Sequence, residues 1–132
     1  MILRFPVVLA VALLIGAGVV TACFSEHVAP QTSTIDARAV CADPSSAGSD
    51  VVIIKDFTFV PATVTVSAGG SVTWVNCEST AGLAHTATSD ASGFDSGLLA
   101  PLATYTQTFK NSGSIPYHCT VHPSMKATVV VN

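Results

Sequence analysis

Residues 119–125 read Cys-Thr-Val-His-Pro-Ser-Met, a loop in which a thiol, an imidazole and a thioether follow one another at three-residue intervals. An apolar stretch ends at Tyr117-His118 before the loop, and residues 127–131 after it alternate like a strand. The pattern therefore predicts a turn between two strands that carries three metal donors. Cys, His and Met form a soft-to-borderline donor set, which suits copper better than magnesium, calcium or manganese.

One loop supplies only three donors, so we expect a fourth elsewhere in the chain. His85 lies in a polar loop rich in Gly and Thr and is the candidate. Two His and one Cys in a trigonal plane with a weak axial Met form the blue-copper electron-transfer arrangement. The predicted metal ligands are therefore His85, Cys119, His122 and Met125, around a single copper ion.

These four donors, in this order, resemble the ligand set of the cupredoxins, most of all the amicyanin and plastocyanin branch. The likeness covers about residues 50–132, and its further motifs are residues 69–76 (Gly-Gly-Ser-Val-Thr-Trp-Val-Asn), 94–97 (Phe-Asp-Ser-Gly) and 117–120 (Tyr-His-Cys-Thr). The resemblance implies an all-β, two-sheet Greek-key β-sandwich with one type 1 copper. It also implies an electron shuttle whose redox protein partners dock near His122, inside an apolar patch formed by residues such as Leu83, Ala84, Val121 and Pro123.

The pattern of apolar residues independently predicts an all-β domain over residues 50–132. Strand-like runs are residues 51–54, 63–67, 71–76, 104–109, 115–119 and 127–131. Phe57 and Phe59 extend the first run as alternating residues up to Pro61. Short strands separated by turn signals, with no amphipathic helix, are typical of a β-sandwich.

The amino terminus has the pattern of an export signal. Arg4 precedes an apolar run over residues 5–20, which is shorter than a comfortable membrane span. Small residues then lead into Cys23, as in the bacterial lipobox, where cleavage leaves a lipid-carrying Cys as the new terminus. We expect a signal peptide over residues 1–22 and a lipid-anchored flexible tether over residues 23–49. The protein would then lie on the periplasmic or extracellular face of a bacterial membrane; an ordinary signal peptide cut near the same place is the alternative.

The cysteine count agrees with export. Of four Cys, Cys23 is assigned to lipid and Cys119 to the metal, which leaves Cys41 and Cys77. In an exported protein this pair is a disulfide candidate, and a bridge of that span would stabilise the fold by roughly 3–4 kcal/mol in the chain-entropy model. Two unpaired buried thiols are the competing interpretation.

Other polar residues near the motifs are assigned supporting roles. Asn76 and Thr86 are the candidates for hydrogen bonds that hold His85 in place, as second-shell groups do at metal sites. His118 is next to Cys119 on a predicted strand, so its side chain points to the opposite face. We therefore do not expect His118 to bind the metal.

Charge and histidine content narrow the function. With five Lys and Arg against eight Asp and Glu, and no basic cluster, the chain has no electrostatic footprint for nucleic acid. An enzyme with a second copper centre would need extra His pairs, and His27 and His118 are too few and poorly placed. We therefore expect a non-enzymatic, monomeric electron carrier, with copper storage or delivery as the alternative.

Overall fold

The structure, a computed structural model, describes residues 34–132. In that range the chain forms a short helix, α1 (Ala37–Ala42), a 3-10 turn (Pro44–Ser46) and eight strands. The strands are β1 (Val51–Lys55), β2 (Thr58–Val60), β3 (Thr63–Val66), β4 (Ser71–Asn76), β5 (Thr88–Ser89), β6 (Thr104–Thr108), β7 (Gly113–His118) and β8 (Lys126–Val131). The predicted all-β class is confirmed.

Two four-stranded sheets make up the sandwich. One has the order β2-β1-β4-β6 and the other the order β3-β8-β7-β5. β1 pairs with β4 and β3 pairs with β8 in parallel, and the remaining pairs are antiparallel. Because β1 and β4 run in the same direction, their carboxyl ends meet at one end of the sandwich, together with the β1–β2 turn and the start of β6.

The core lies between the two sheets and follows the period-two pattern of the strands. From one sheet Val52, Ile54, Val72 and Trp74 point inward, and from the other Val129 meets them. Trp74 is fully buried and packs edge-to-face against Tyr117, with 5.4 Å between the ring centroids. Both aromatic residues are therefore part of the packed core.

The β1–β2 turn differs from the prediction. Strand pairing ends at Lys55 and Thr58, so Asp56 and Phe57 alone form a two-residue turn, with φ angles of 50° and 58°. Two left-handed residues in a tight hairpin match the right-handed twist of the flanking strands. Phe57 is therefore not a second inward-facing strand residue beside Phe59, as the alternation indicated. Its side chain is 45% exposed.

The folded part of the chain begins upstream of the boundary expected at residue 50. Val40 of α1 is buried against Val51, Ile53 and Val75 on the outer face of the first sheet. Asp36 caps α1 by accepting hydrogen bonds from two backbone N–H groups of its first turn. Residues 37–49 are therefore not a flexible tether, because a few apolar contacts are enough to hold this otherwise polar segment on the sheet.

A disulfide joins Cys41 of α1 to Cys77 just after β4, with 5.2 Å between the Cα atoms. The signal peptide and the lipidated Cys23, predicted from the first 23 residues, lie outside the described residues. Among residues 34–132 no helix is long and apolar enough to cross a membrane.

Candidate metal centre

The loop between β7 and β8 presents its three donors from a closed turn. The backbone N–H of Cys119 donates to the carbonyl of Met125 at 3.1 Å, and that of Met125 donates to the carbonyl of His122 at 2.9 Å. Cys119 and Met125 are buried, whereas His122 is half-buried. The loop is therefore fixed at both ends by its own backbone, which limits how far the donors can move.

His85 reaches the same end of the sandwich from the long segment between β4 and β5. A reciprocal pair of backbone hydrogen bonds with Leu99, at 3.1 and 2.8 Å, holds it in an isolated β-bridge. Its side chain is fully buried. A buried imidazole needs polar partners, and those of His85 are side chains of the site.

The donor atoms of these residues converge. Nδ1 of His85 lies 3.1 Å from Nδ1 of His122, and each lies 3.8 Å from Sγ of Cys119. All three atoms lie within 4.8 Å of one another, and the buried Met125 is joined through its backbone to both Cys119 and His122. The backbone N–H of Thr86 points at Sγ of Cys119 at 3.3 Å, as a donor to a thiolate would. Two imidazoles, one thiolate and one thioether in a mostly buried cluster fit copper.

Glu78 is a site residue that the sequence interpretation missed. Its Oε1 lies 3.1 Å from Nε2 of His85, on the side of the ring away from the donor atom, and also accepts the N–H of Phe57 at 3.1 Å. Burial alone would raise the pKa of Glu78, but hydrogen bonds from Phe57, His85 and the backbone of Asp56, together with the attraction of His85, bring the pKa below its usual value. Glu78 is therefore a carboxylate at neutral pH, and it orients His85 with Nδ1 toward the site.

The sequence held one signal for Glu78. A charged residue directly after the apolar strand β4, seven positions before the candidate ligand His85, is out of place unless it has a partner. The contact itself depends on how the intervening loop folds back, which spacing does not show.

Asn76 and Thr86, the predicted supporting residues, lie at the site but do not contact the ring nitrogens of His85. The amide of Asn76 donates to the carbonyls of Leu83 and Leu99 at 2.9 and 2.8 Å, on the two segments that flank His85. Oγ1 of Thr86 accepts the N–H of Thr120 at 2.9 Å, which ties the His85 loop to the Cys119 loop. Both residues hold backbone, and the ring itself is held by Glu78.

His118 does not face the donor cluster. Its Nδ1 hydrogen-bonds the carboxylate of Asp90 on the partly exposed outer side of the second sheet. The side chain of Cys119, one residue later, is fully buried. This is the alternation that the sequence predicted.

Apolar side chains surround the exposed side of the site. Among the described residues, five large apolar side chains are exposed, and four of them belong to segments at this end: Phe57, Leu98, Leu102 and Val121. Leu98 precedes the residue that pairs with His85, and the N–H of Leu102 donates to the carbonyl of Asn76. Phe57 packs edge-on against both imidazoles, with centroid distances of 5.0 Å to His122 and 5.6 Å to His85. We call these four residues, together with Pro123, the apolar end face.

Comparison with known proteins agrees with this geometry. Residues 47–132 match the copper binding proteins of the plastocyanin/azurin family. Amicyanin-alpha of Methylorubrum extorquens is 35% identical over 89 residues, which cover 64% of this chain and 73% of that protein. Amicyanin of Paracoccus denitrificans is 32% identical over 94 residues, covering 64% of this chain and 66% of that protein.

Solved structures show the same likeness. The Cu(I) form of a point mutant of amicyanin superimposes with a TM-score of 0.58 at 29% identity, over 70% of this chain and 89% of that one. A copper-containing nitrite reductase from Thermus scotoductus has a TM-score of 0.58 at 27% identity, over 62% of this chain but only 22% of the reductase. The likeness to the enzyme is therefore limited to one cupredoxin domain. The chain belongs to the plastocyanin/azurin family of copper-binding proteins and is an electron-transfer protein with a single type 1 copper.

Proposed function

We propose that the protein exchanges single electrons with redox proteins through a copper held by His85, Cys119, His122 and Met125. When bound, the copper supplies the one-electron Cu(II)/Cu(I) couple. The observation that best supports this proposal is the unequal burial of the four donors. His85, Cys119 and Met125 are at most 3% exposed, and only His122 reaches the surface.

The residues around the donors keep the site geometry fixed in both oxidation states. Glu78 holds the ring of His85 from behind, Thr86 donates its N–H to the thiolate, and the turn from Cys119 to Met125 is closed by backbone hydrogen bonds. A rigid set of donors needs little rearrangement when the electron arrives or leaves, and small rearrangement favours fast transfer. Thiolate and thioether favour Cu(I), whereas the imidazoles suit both states.

The surface around His122 suits brief contacts with a partner. Phe57 and Val121 of the apolar end face are 45% and 49% exposed, and the ring of Phe57 lies against that of His122. An apolar patch that excludes water around a half-buried ligand brings two redox centres close, and a small interface allows rapid release. We propose that the partners dock on this face and that the protein acts as a monomer.

The rate of electron self-exchange tests this proposal. In a mixture of Cu(I) and Cu(II) protein, NMR line broadening gives the rate at which two copies exchange an electron. When two copies meet through this face, Val121→Lys places a positive charge from each copy opposite the other. Opposed like charges cost several kcal/mol, so the rate of electron self-exchange should fall at least tenfold. Thr106→Lys, which adds the same charge on the outer face of β6, is the matched control and should leave the rate nearly unchanged.

Two outcomes would count against the proposal. Equal rates in both variants would show that electrons do not leave through the apolar end face. A wild-type protein that binds Cu(I) tightly but exchanges electrons slowly would favour the storage or delivery role.

We further propose that the protein is exported and anchored to the outer side of a bacterial membrane through a lipid on Cys23. The support is the leader pattern of residues 1–22 and the Cys41–Cys77 disulfide, which is typical of proteins in oxidising compartments. A lipid anchor with two or more acyl chains is sufficient for stable attachment. Mass spectrometry of the membrane fraction tests the proposal, and an unmodified amino terminus at another residue would contradict it.

A further inference from the structure

The disulfide joins the chain at a point next to the metal site. Cys77 is the first residue after β4, and its two neighbours in sequence are Asn76 and Glu78. Side chains along an extended segment alternate between its faces. Cys77 therefore points outward to α1, while Asn76 and Glu78 point inward to the site.

Regular strand pairing ends at this point. The N–H of Cys77 donates to the carbonyl of Ile54 at 2.8 Å, as the continuation of the β1–β4 pairing. Residues 79–82 are exposed and outside any strand, and the chain does not re-enter a sheet until Thr88. The covalent bond at Cys77 thus fixes the chain where it leaves the sheet and begins the loop that carries His85.

The two inward neighbours of Cys77 hold that loop and its ligand. Asn76 binds the carbonyls of Leu83 and Leu99, and its Oδ1 accepts the N–H of Glu78 at 3.0 Å. Glu78 in turn contacts Nε2 of His85. The two sequence neighbours of Cys77 therefore connect the disulfide to the ring of His85 through a continuous set of contacts.

The outer side of the segment is covered by α1 and by the residues that flank it. Ala37, Val40 and Cys41 are the residues of α1 that meet the sheet around Val75 and Cys77, and the bridge spans 36 positions in sequence. We propose that the Cys41–Cys77 disulfide positions Asn76 and Glu78, and through them His85, in addition to stapling α1 to the sheet. This inference rests on the proposed copper site, in which His85 is a ligand.

Amide hydrogen exchange tests the positioning separately from copper chemistry. The amides of Phe57 and Glu78 donate to Glu78 Oε1 and Asn76 Oδ1, so their exchange rates report whether this segment is held. Exchange is measured in the metal-free and Cu(I) protein, relative to the amide of Val129 in the other sheet. In Cys41→Ala/Cys77→Ala we expect the exchange rates of the Phe57 and Glu78 amides, each divided by that of Val129, to rise at least tenfold. In the control Val40→Ala, which weakens the packing of α1 but keeps the bridge, the melting temperature should fall and the ratios stay constant.

The reduction potential of the copper gives a second measure. A disulfide that only stabilises the fold as a whole would leave this potential unchanged. Loosening Glu78 makes His85 a weaker donor, so Cu(II) should lose about threefold in affinity relative to Cu(I), which is about 28 mV upward at 59 mV per factor of ten. Val40→Ala should not shift the potential.

Each outcome decides the proposal. Exchange that accelerates equally at Val129, with an unchanged potential, would make the bridge a global staple and overturn the positioning role. If the double variant does not fold, Cys41→Val/Cys77→Ala, which refills the lost contacts with hydrocarbon, takes its place; failure of that variant too would also indicate a global staple. Absence of copper binding in the wild type would refute the proposed function. The exchange ratios in the metal-free protein would still test whether the disulfide positions Asn76 and Glu78.

Discussion

Replacing Glu78 with glutamine should raise the reduction potential while leaving the copper and its blue colour in place. Glutamine has nearly the same shape, and its side-chain oxygen can still accept the hydrogen bonds from Phe57 and His85 that the carboxylate accepts now. The substitution therefore removes one negative charge and little else. A negative charge stabilises Cu(II) more than Cu(I), so its loss favours the reduced form.

The size of the shift follows from the position of the charge. Oε1 of Glu78 lies 3.1 Å behind the ring of His85, on the side away from Nδ1, so the charge is roughly 7 Å from a metal bound at Nδ1. A unit charge at that distance contributes about 2.4 kcal/mol at an effective dielectric constant of about 20, and about 0.6 kcal/mol at about 80. At about 59 mV per factor of ten in affinity, these limits give a rise of about 25–100 mV.

Protein-film voltammetry on the copper-loaded protein measures this shift directly. Asp50→Asn is the matched control, because it removes the same charge from an exposed residue just before β1, at the opposite end of the sandwich. A Glu78→Gln potential that is lowered, or raised no more than in the control, would refute the role of the carboxylate behind His85.

Three further substitutions test other parts of the account. Met125→Leu should keep the copper and the blue band but raise the potential, since the thioether is a weak axial ligand; loss of the metal in spectroscopic titration would contradict this. Asn76→Ala removes the amide that donates to the carbonyls of Leu83 and Leu99 and leaves the N–H of Glu78 without its acceptor. We therefore expect a loss of about 2–3 kcal/mol and a melting temperature lower by about 10–20 °C by calorimetry; a change within about 2–3 °C would show that the contacts are dispensable. Cys23→Ser should release the protein from the membrane fraction or block its processing, and unchanged fractionation would argue against the lipid anchor.

The part of the site that the sequence predicted best is the part that is local. Cys119, His122 and Met125 lie in one loop, so their spacing alone brings the donors together. His85 came from the chemistry of the donor set and from the family resemblance, because it is 34 positions away from Cys119. Most strands were predictable because the face turned toward the core is buried, and burial on one face imposes a period of two. β1 is buried on both faces, and its continuous β-branched run predicted it instead.

The features that were missed depend on contacts between distant segments. Phe57 continues the strand alternation in sequence, and neither it nor Asp56 is the glycine that would normally mark a two-residue turn. The left-handed conformation costs each of them about 1 kcal/mol, and the edge-on contacts of Phe57 with the two imidazoles help to offset this cost. The folded segment before residue 50 was missed because its composition is polar, and only its docking on β1 and β4 makes it ordered.

The central claim is tested most directly by the visible spectrum of the copper-loaded protein through one redox cycle. We predict an intense blue band from the bond between Cu(II) and the Cys119 thiolate, which disappears on addition of one electron per copper and returns on reoxidation. Cys119→Ser should lack the band under the same conditions. A weakly coloured Cu(II) protein, or a blue band that persists in Cys119→Ser, would contradict the account.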